Sequence, residues 1–116
     1  MSAYAIAHLR SVDLNEEIVV YLRKIDASLE PFEGRFLVHG AIPEVIEEPF
    51  PGSIVVIEFP NIERARAWYE SDAYQEILPL RTENSDSVAI VIDGTAPGYR
   101  AESFAERLIA EGVVAG

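Results

Sequence analysis

Cysteine is absent from the 116 residues, and histidine occurs only twice. No disulfide framework, thiol nucleophile or thiolate metal site can be built. His8 and His39 give no metal-ligand spacing such as His-x-x-x-His, so no metal site and no cofactor are assigned. Basic residues are scarce: 9 Lys and Arg stand against 20 Asp and Glu, a net charge of −11. A nucleic-acid partner needs a basic face, so that class is excluded. No apolar run approaches the ~18 residues of a membrane span. The stretch Met1–Ala7 lacks the positive n-region of a signal peptide. The expected compartment is the cytoplasm, with no membrane partner. Gly34, Gly40 and Gly52 are isolated, and there is no phosphate loop, dinucleotide fingerprint or Gly-x-Ser-x-Gly elbow.

Apolar residues make up 49% of the chain, which places it among globular proteins. The length suits one domain with a modest core. Residues 3–9 read as a first strand. Asp13 with Glu16 fits a helix cap, and Ile18, Leu22, Ile25 and Leu29 then fall on one helical face. Pro31 and Gly34 end that helix. Strands follow at 35–39 and 53–59. Asn61 caps a second helix with an apolar stripe of Ile62, Ala65, Trp68 and Tyr69. Ser71-Asp72 interrupts it. Asp72 with Gln75 then caps a further segment carrying Tyr74, Ile77 and Leu78, which Pro79 should kink or end. A fourth strand spans 87–93.

The order β-α-β-β-α-β predicts an α+β, ferredoxin-like subunit: a four-stranded antiparallel sheet with both helices on one face. We expect this domain at 1–94. The remainder, 95–116, is a C-terminal extension with an amphipathic helix at 100–111. Its Ala101, Phe104, Ala105, Leu108 and Ile109 share one face that must dock on this subunit or a neighbour.

Strand four is apolar at both parities, with Val88, Ile90 and Ile92 on one side and Ala89 and Val91 on the other. Strand three behaves alike. A sheet with one wet face alternates more cleanly. The second face therefore needs a cover, and a second copy packed sheet to sheet is the economical one. The expectation is a homodimer of the α+β-barrel type.

Four stretches carry a family resemblance. They are the strand around Tyr4, Gly34-Arg35-Phe36-Leu37-Val38, Val56-Ile57-Glu58-Phe59-Pro60, and Ala67-Trp68-Tyr69-Glu70-Ser71-Asp72-Ala73-Tyr74 with Arg81 downstream. Together they resemble the domain-of-unknown-function family thirteen-thirty, within the dimeric α+β-barrel superfamily. The resemblance implies the same subunit fold and a barrel-forming homodimer, and no established activity. The sequence departs from the family pattern at His39-Gly40-Ala41 and at Glu47-Glu48-Pro49.

For the site, small residues let helices approach closely, which turns Ala3, Ala5 and Ala7 toward the helices. Tyr4, Ile6 and His8 then share the opposite face with Ile54, Val56 and Glu58. Strands one and three are expected to be adjacent and parallel, which brings His8 and Glu58 together near their C-terminal ends, with Arg35 across from Glu58. We expect Glu58 and His8 as catalytic candidates, His8 moving the proton. Arg35, His39, Tyr74 and Arg81 are expected to bind a small, possibly anionic, organic ligand. The competing expectation is a structural Arg35–Glu58 ion pair in a non-catalytic interaction module whose cleft is filled by its own side chains.

Overall fold

The computed structural model describes all 116 residues. Strand β1 spans Ala3–Val12, helix α1 Glu16–Leu29, β2 Arg35–Val38, β3 Ser53–Phe59, α2 Ile62–Glu70, α3 Asp72–Thr82, β4 Ser85–Asp93 and α4 Ala101–Ala110. A 3-10 turn, Glu30–Phe32, follows α1. The sheet order is β2-β3-β1-β4, and every neighbouring pair is antiparallel. This is the ferredoxin-like α+β architecture that the element order implies.

One expectation fails here. β1 and β3 are adjacent but antiparallel, with Tyr4 opposite Glu58 and His8 opposite Ile54. The reason is directional. One helix carries the chain back between β1 and β2, so those two strands run alike. β3 then returns from β2 in the opposite sense, and so opposes β1.

Local capping also shifts. β1 runs on to Val12, and the N-cap of α1 is Asn15, whose Oδ1 accepts from the Ile18 amide at 3.1 Å. Asp13 is not the cap; its amide donates to the Asn84 carbonyl at 2.8 Å. The buried stripe of α1 is Ile18, Tyr21, Ile25, Ser28 and Leu29, while Leu22 is exposed. Asn61 caps α2 as expected. Ser71, not Asp72, caps α3. Pro79 lies inside α3, which continues to Thr82, because proline removes only its own donor and its carbonyl still accepts from the Glu83 amide at 2.9 Å.

Residues opposite one another in an antiparallel ladder share a face. Ala3, Ala5, Ile57 and Phe59 lie buried beneath the helices. The Phe59 and Trp68 rings pack 5.5 Å apart and, with Ile25, Leu29 and Ile77, form the core. Gly34 abuts this core, where an added Cβ would sit 2.7 Å from the Phe59 ring. The opposite face carries Tyr4, Ile6 and His8 beside Val88, Ile90 and Ile92. Ile90 is 53% exposed, so a broad apolar surface faces outward. α4 buries none of its residues against the rest of the chain. No helix is long and apolar enough to cross a membrane.

Candidate functional site

The register decides which of the expected residues can act together. Arg35 sits opposite Glu58. Its Nε donates to Glu58 Oε1 at 2.8 Å, and Nη2 lies 2.6 Å from the same oxygen. The Arg35 hydrogen bond, joined by one from Ser2, holds the Glu58 carboxyl below the usual range. His8 does not join them. It lies four residues along β1 from the partner of Glu58, about 13 Å at strand rise. Its ring stacks on Phe50 at 4.4 Å, and its Nε2 donates to the Pro51 carbonyl at 2.8 Å. The His8–Glu58 proton-transfer pair expected from a parallel arrangement is therefore not assembled. His39 stacks on Phe36 at 4.7 Å, at the end of β2. All four side chains lie away from the cavity described next.

That cavity, about 310 Å³, opens between the helix-facing side of the sheet and α2 and α3. Ala5, Ala7 and Ala89 line it, and Ala7 and Ala89 are direct cross-strand partners. Larger side chains at these positions would close the space, so its depth follows from alanine. Trp68, Tyr69 and Tyr74 form the aromatic wall, with Trp68 and Tyr74 centroids 4.1 Å apart. The Trp68 indole N–H donates to Ser28 Oγ at 3.0 Å, and that hydroxyl donates to the Ile25 carbonyl at 2.6 Å. The wall is thereby fixed in orientation.

Arg81 brings the charge. It stands in the last turn of α3 and is only 6% exposed. Its Nη1 donates to Ser87 Oγ at 2.7 Å, and Ser87 pairs with Ser85 at 2.8 Å. None of the four ion pairs in the molecule includes it. Burial works against its charge, but the adjoining Tyr74 and Tyr21 oxygens outweigh that and keep it protonated. Those phenols bond each other at 2.8 Å. Burial, reinforced by Tyr74, pushes the Tyr21 phenol far above its ordinary range. Tyr21 is thus a neutral donor at any physiological pH.

Chemically, the cleft can seat a flat apolar body against the aromatic wall and meet one anionic oxygen with Arg81. It contains no histidine, and the other charged residues that line it, Arg66 and Glu70, are exposed at its margin. No group of three or more His, Cys, Asp or Glu side chains converges anywhere in the molecule. Tyr74 and Arg81, expected as ligand-binding residues, both line the cleft. Tyr21 was missed. The signal was present in the helical spacing Ile18, Tyr21, Ile25, Ser28, which competes with the stripe through Leu22.

Comparison with known proteins follows the same lines. No curated protein matches the sequence significantly. The structure is similar to that of a protein of unknown function from Rhodopseudomonas palustris, at 15% identity and a TM-score of 0.62, over 83% of this chain and 84% of that one. It is similar to a dimeric ferredoxin-like protein of unknown function from Jannaschia sp., at 10% identity and a TM-score of 0.54, over 81% and 100%. SnoaB, a cofactor-independent oxygenase from Streptomyces nogalater, aligns at 9% identity and a TM-score of 0.52, over 85% and 96%. At these identities the likeness shows the ferredoxin-like fold alone. The family profile for the domain of unknown function DUF1330 matches residues 2–95, most of the chain, and the protein belongs to that family.

Proposed function

We propose that the cleft between the sheet and α2–α3 binds a small, flat organic molecule through an ionised oxygen. The observation that carries this reading is Arg81: a buried guanidinium, without a carboxylate partner, at an apolar cavity in a chain of net charge −11. A buried cation ordinarily has a counter-charge. Here the ligand supplies it. The open volume favours a ligand over a cleft filled by its own side chains.

The Tyr21–Tyr74 pair and Arg81 together stabilise an enolate, phenolate or carboxylate. That suits oxygenase- or isomerase-type chemistry in which the protein needs no cofactor because the substrate anion is itself the reactive species. SnoaB, a cofactor-independent oxygenase, shares the fold, which makes this the class to test first. Glu58, His8, Arg35 and His39 take no part in this reading, because they lie away from the cleft.

Two copies pair through their outer sheet faces in the same proposal. The uncovered Val88, Ile90 and Ile92 and the dimeric Jannaschia relative support this. Light scattering at micromolar concentration should give the mass of two chains, and a single-chain mass would refute the pairing.

Calorimetric titration with aromatic acids, phenols and enols, each beside its neutral amide or methyl ether, tests the ligand reading. The anion should bind at least about tenfold more tightly than its neutral analogue, about 1.4 kcal/mol. Arg81→Gln should erase that difference, and Tyr74→Phe, which keeps the wall, should reduce it. Equal affinity for charged and neutral members, or no saturable binding at all, would sink the proposal.

A further inference from the structure

We propose that the C-terminal arm of one copy, built on α4, clasps the 39–52 loop of a second copy. This rests on the sheet-to-sheet pairing above and adds a second contact to it. The arm has nothing to pack on in its own chain. Phe104 and Ile109 are exposed, and the radius of gyration, 17.1 Å, exceeds the about 13 Å of a compact chain of this length. The loop is equally uncovered: Ile42 is 93% and Ile46 91% exposed.

The two surfaces cannot reach each other within one chain. α4 leaves the sheet from the end of edge strand β4, where Asp93 pairs with Ala3. The loop leaves from the opposite edge, at the end of β1 marked by Leu9. They occupy diagonally opposite corners. Two sheets packed face to face with strands crossing near a right angle can be related by a two-fold axis along the other diagonal. That operation exchanges the two corners and seats each arm over the partner copy's loop.

Area agrees, and one cation is placed to meet the loop. The loop carries Glu44, Glu47 and Glu48 and no Lys or Arg, while α4 carries Glu102 and Glu106 and a single Arg107, which flanks its apolar face 4.9 Å over the Phe104 ring and 3.8 Å from Glu111. The nine-residue β4 and its three neighbours present a face of about 30 by 19 Å, on the order of 600 Å². A stable interface takes about 800 Å² per partner. The ten-residue α4, about 15 Å long and 10 Å wide, covers about 150 Å², and in a symmetric pair each copy buries that area once at its arm and once at its loop, which closes the gap.

The cysteine-free full chain makes the test direct. Phe104→Cys and Ile46→Cys variants are prepared separately, mixed and oxidised. The mixture should give one disulfide-linked dimer joining the two variants, in preference to either variant linked to itself. Phe104→Asp and Arg107→Glu, both at exposed positions, should each weaken the dimer at least tenfold by sedimentation while leaving the melting of dilute monomer unchanged. A doubly substituted chain that closes its disulfide internally, at single-chain mass, overturns the clasp. So does a wild-type dimer with no mixed cross-link and no response to these substitutions; the sheet pairing then survives. A wild-type chain that stays monomeric removes both.

Discussion

At the scale of single residues, the hydrogen bond from buried Tyr21 holds Tyr74, a wall residue of the cleft, from behind. Tyr21 contributes a donor and no charge, because burial holds its proton in place. The pH dependence follows. In the unfolded chain a phenol ionises near its ordinary value of about 10. In the folded chain Tyr21 keeps its proton well above that, so its contribution is intact below pH ~10 and is lost as pH rises further, at about 1.4 kcal/mol per pH unit. Tyr21→Phe should flatten the fall in urea midpoint between pH 9 and 11. Parallel curves for the two proteins would show that Tyr21 ionises in the folded state as readily as in the unfolded one.

At the scale of elements, the entry into β3 depends on Gly52. Its φ is +84°, and an added Cβ would collide with the Leu9 carbonyl oxygen. Gly52→Ala should therefore destabilise the fold by about 2 kcal/mol or more, read from chemical denaturation. Elements are also where the sequence was most and least legible. Local chemistry marked Asn61 as a cap, Ser53–Phe59 as a strand and the alanines of β1 as its helix-facing side. The relative direction of β1 and β3 is a property of chain return, not of either strand, and it decided that His8 and Glu58 stand apart. The cleft was harder still. Tyr21 and Arg81 are sixty positions apart in sequence, and only the seating of α1 against α3 brings them together. Tyr74 and Arg81, expected at a ligand because a cation in an acidic chain can meet an anion, do line the cleft. The side of the sheet they lie against was not visible without the register.

At the scale of the whole molecule, the surplus of 20 acidic over 9 basic residues opposes self-association. Two copies bring like charge together over distances comparable to the Debye length. The dimer should therefore tighten with salt, by several-fold between about 20 and 200 mM, a range over which screening lengths shrink from about 20 to 7 Å. Sedimentation equilibrium across that series measures it. An affinity indifferent to salt would place the acidic residues far from the contact.

The chain has one tryptophan, and it stands in the cleft wall with its indole tied to Ser28 and its ring against Tyr74. Every photon that the protein emits from an indole thus originates beside the cavity. A flat, conjugated guest there would quench that emission or accept its energy, with no background from elsewhere in the chain. The residue that shapes the pocket also makes its occupancy optically visible in the unlabelled protein.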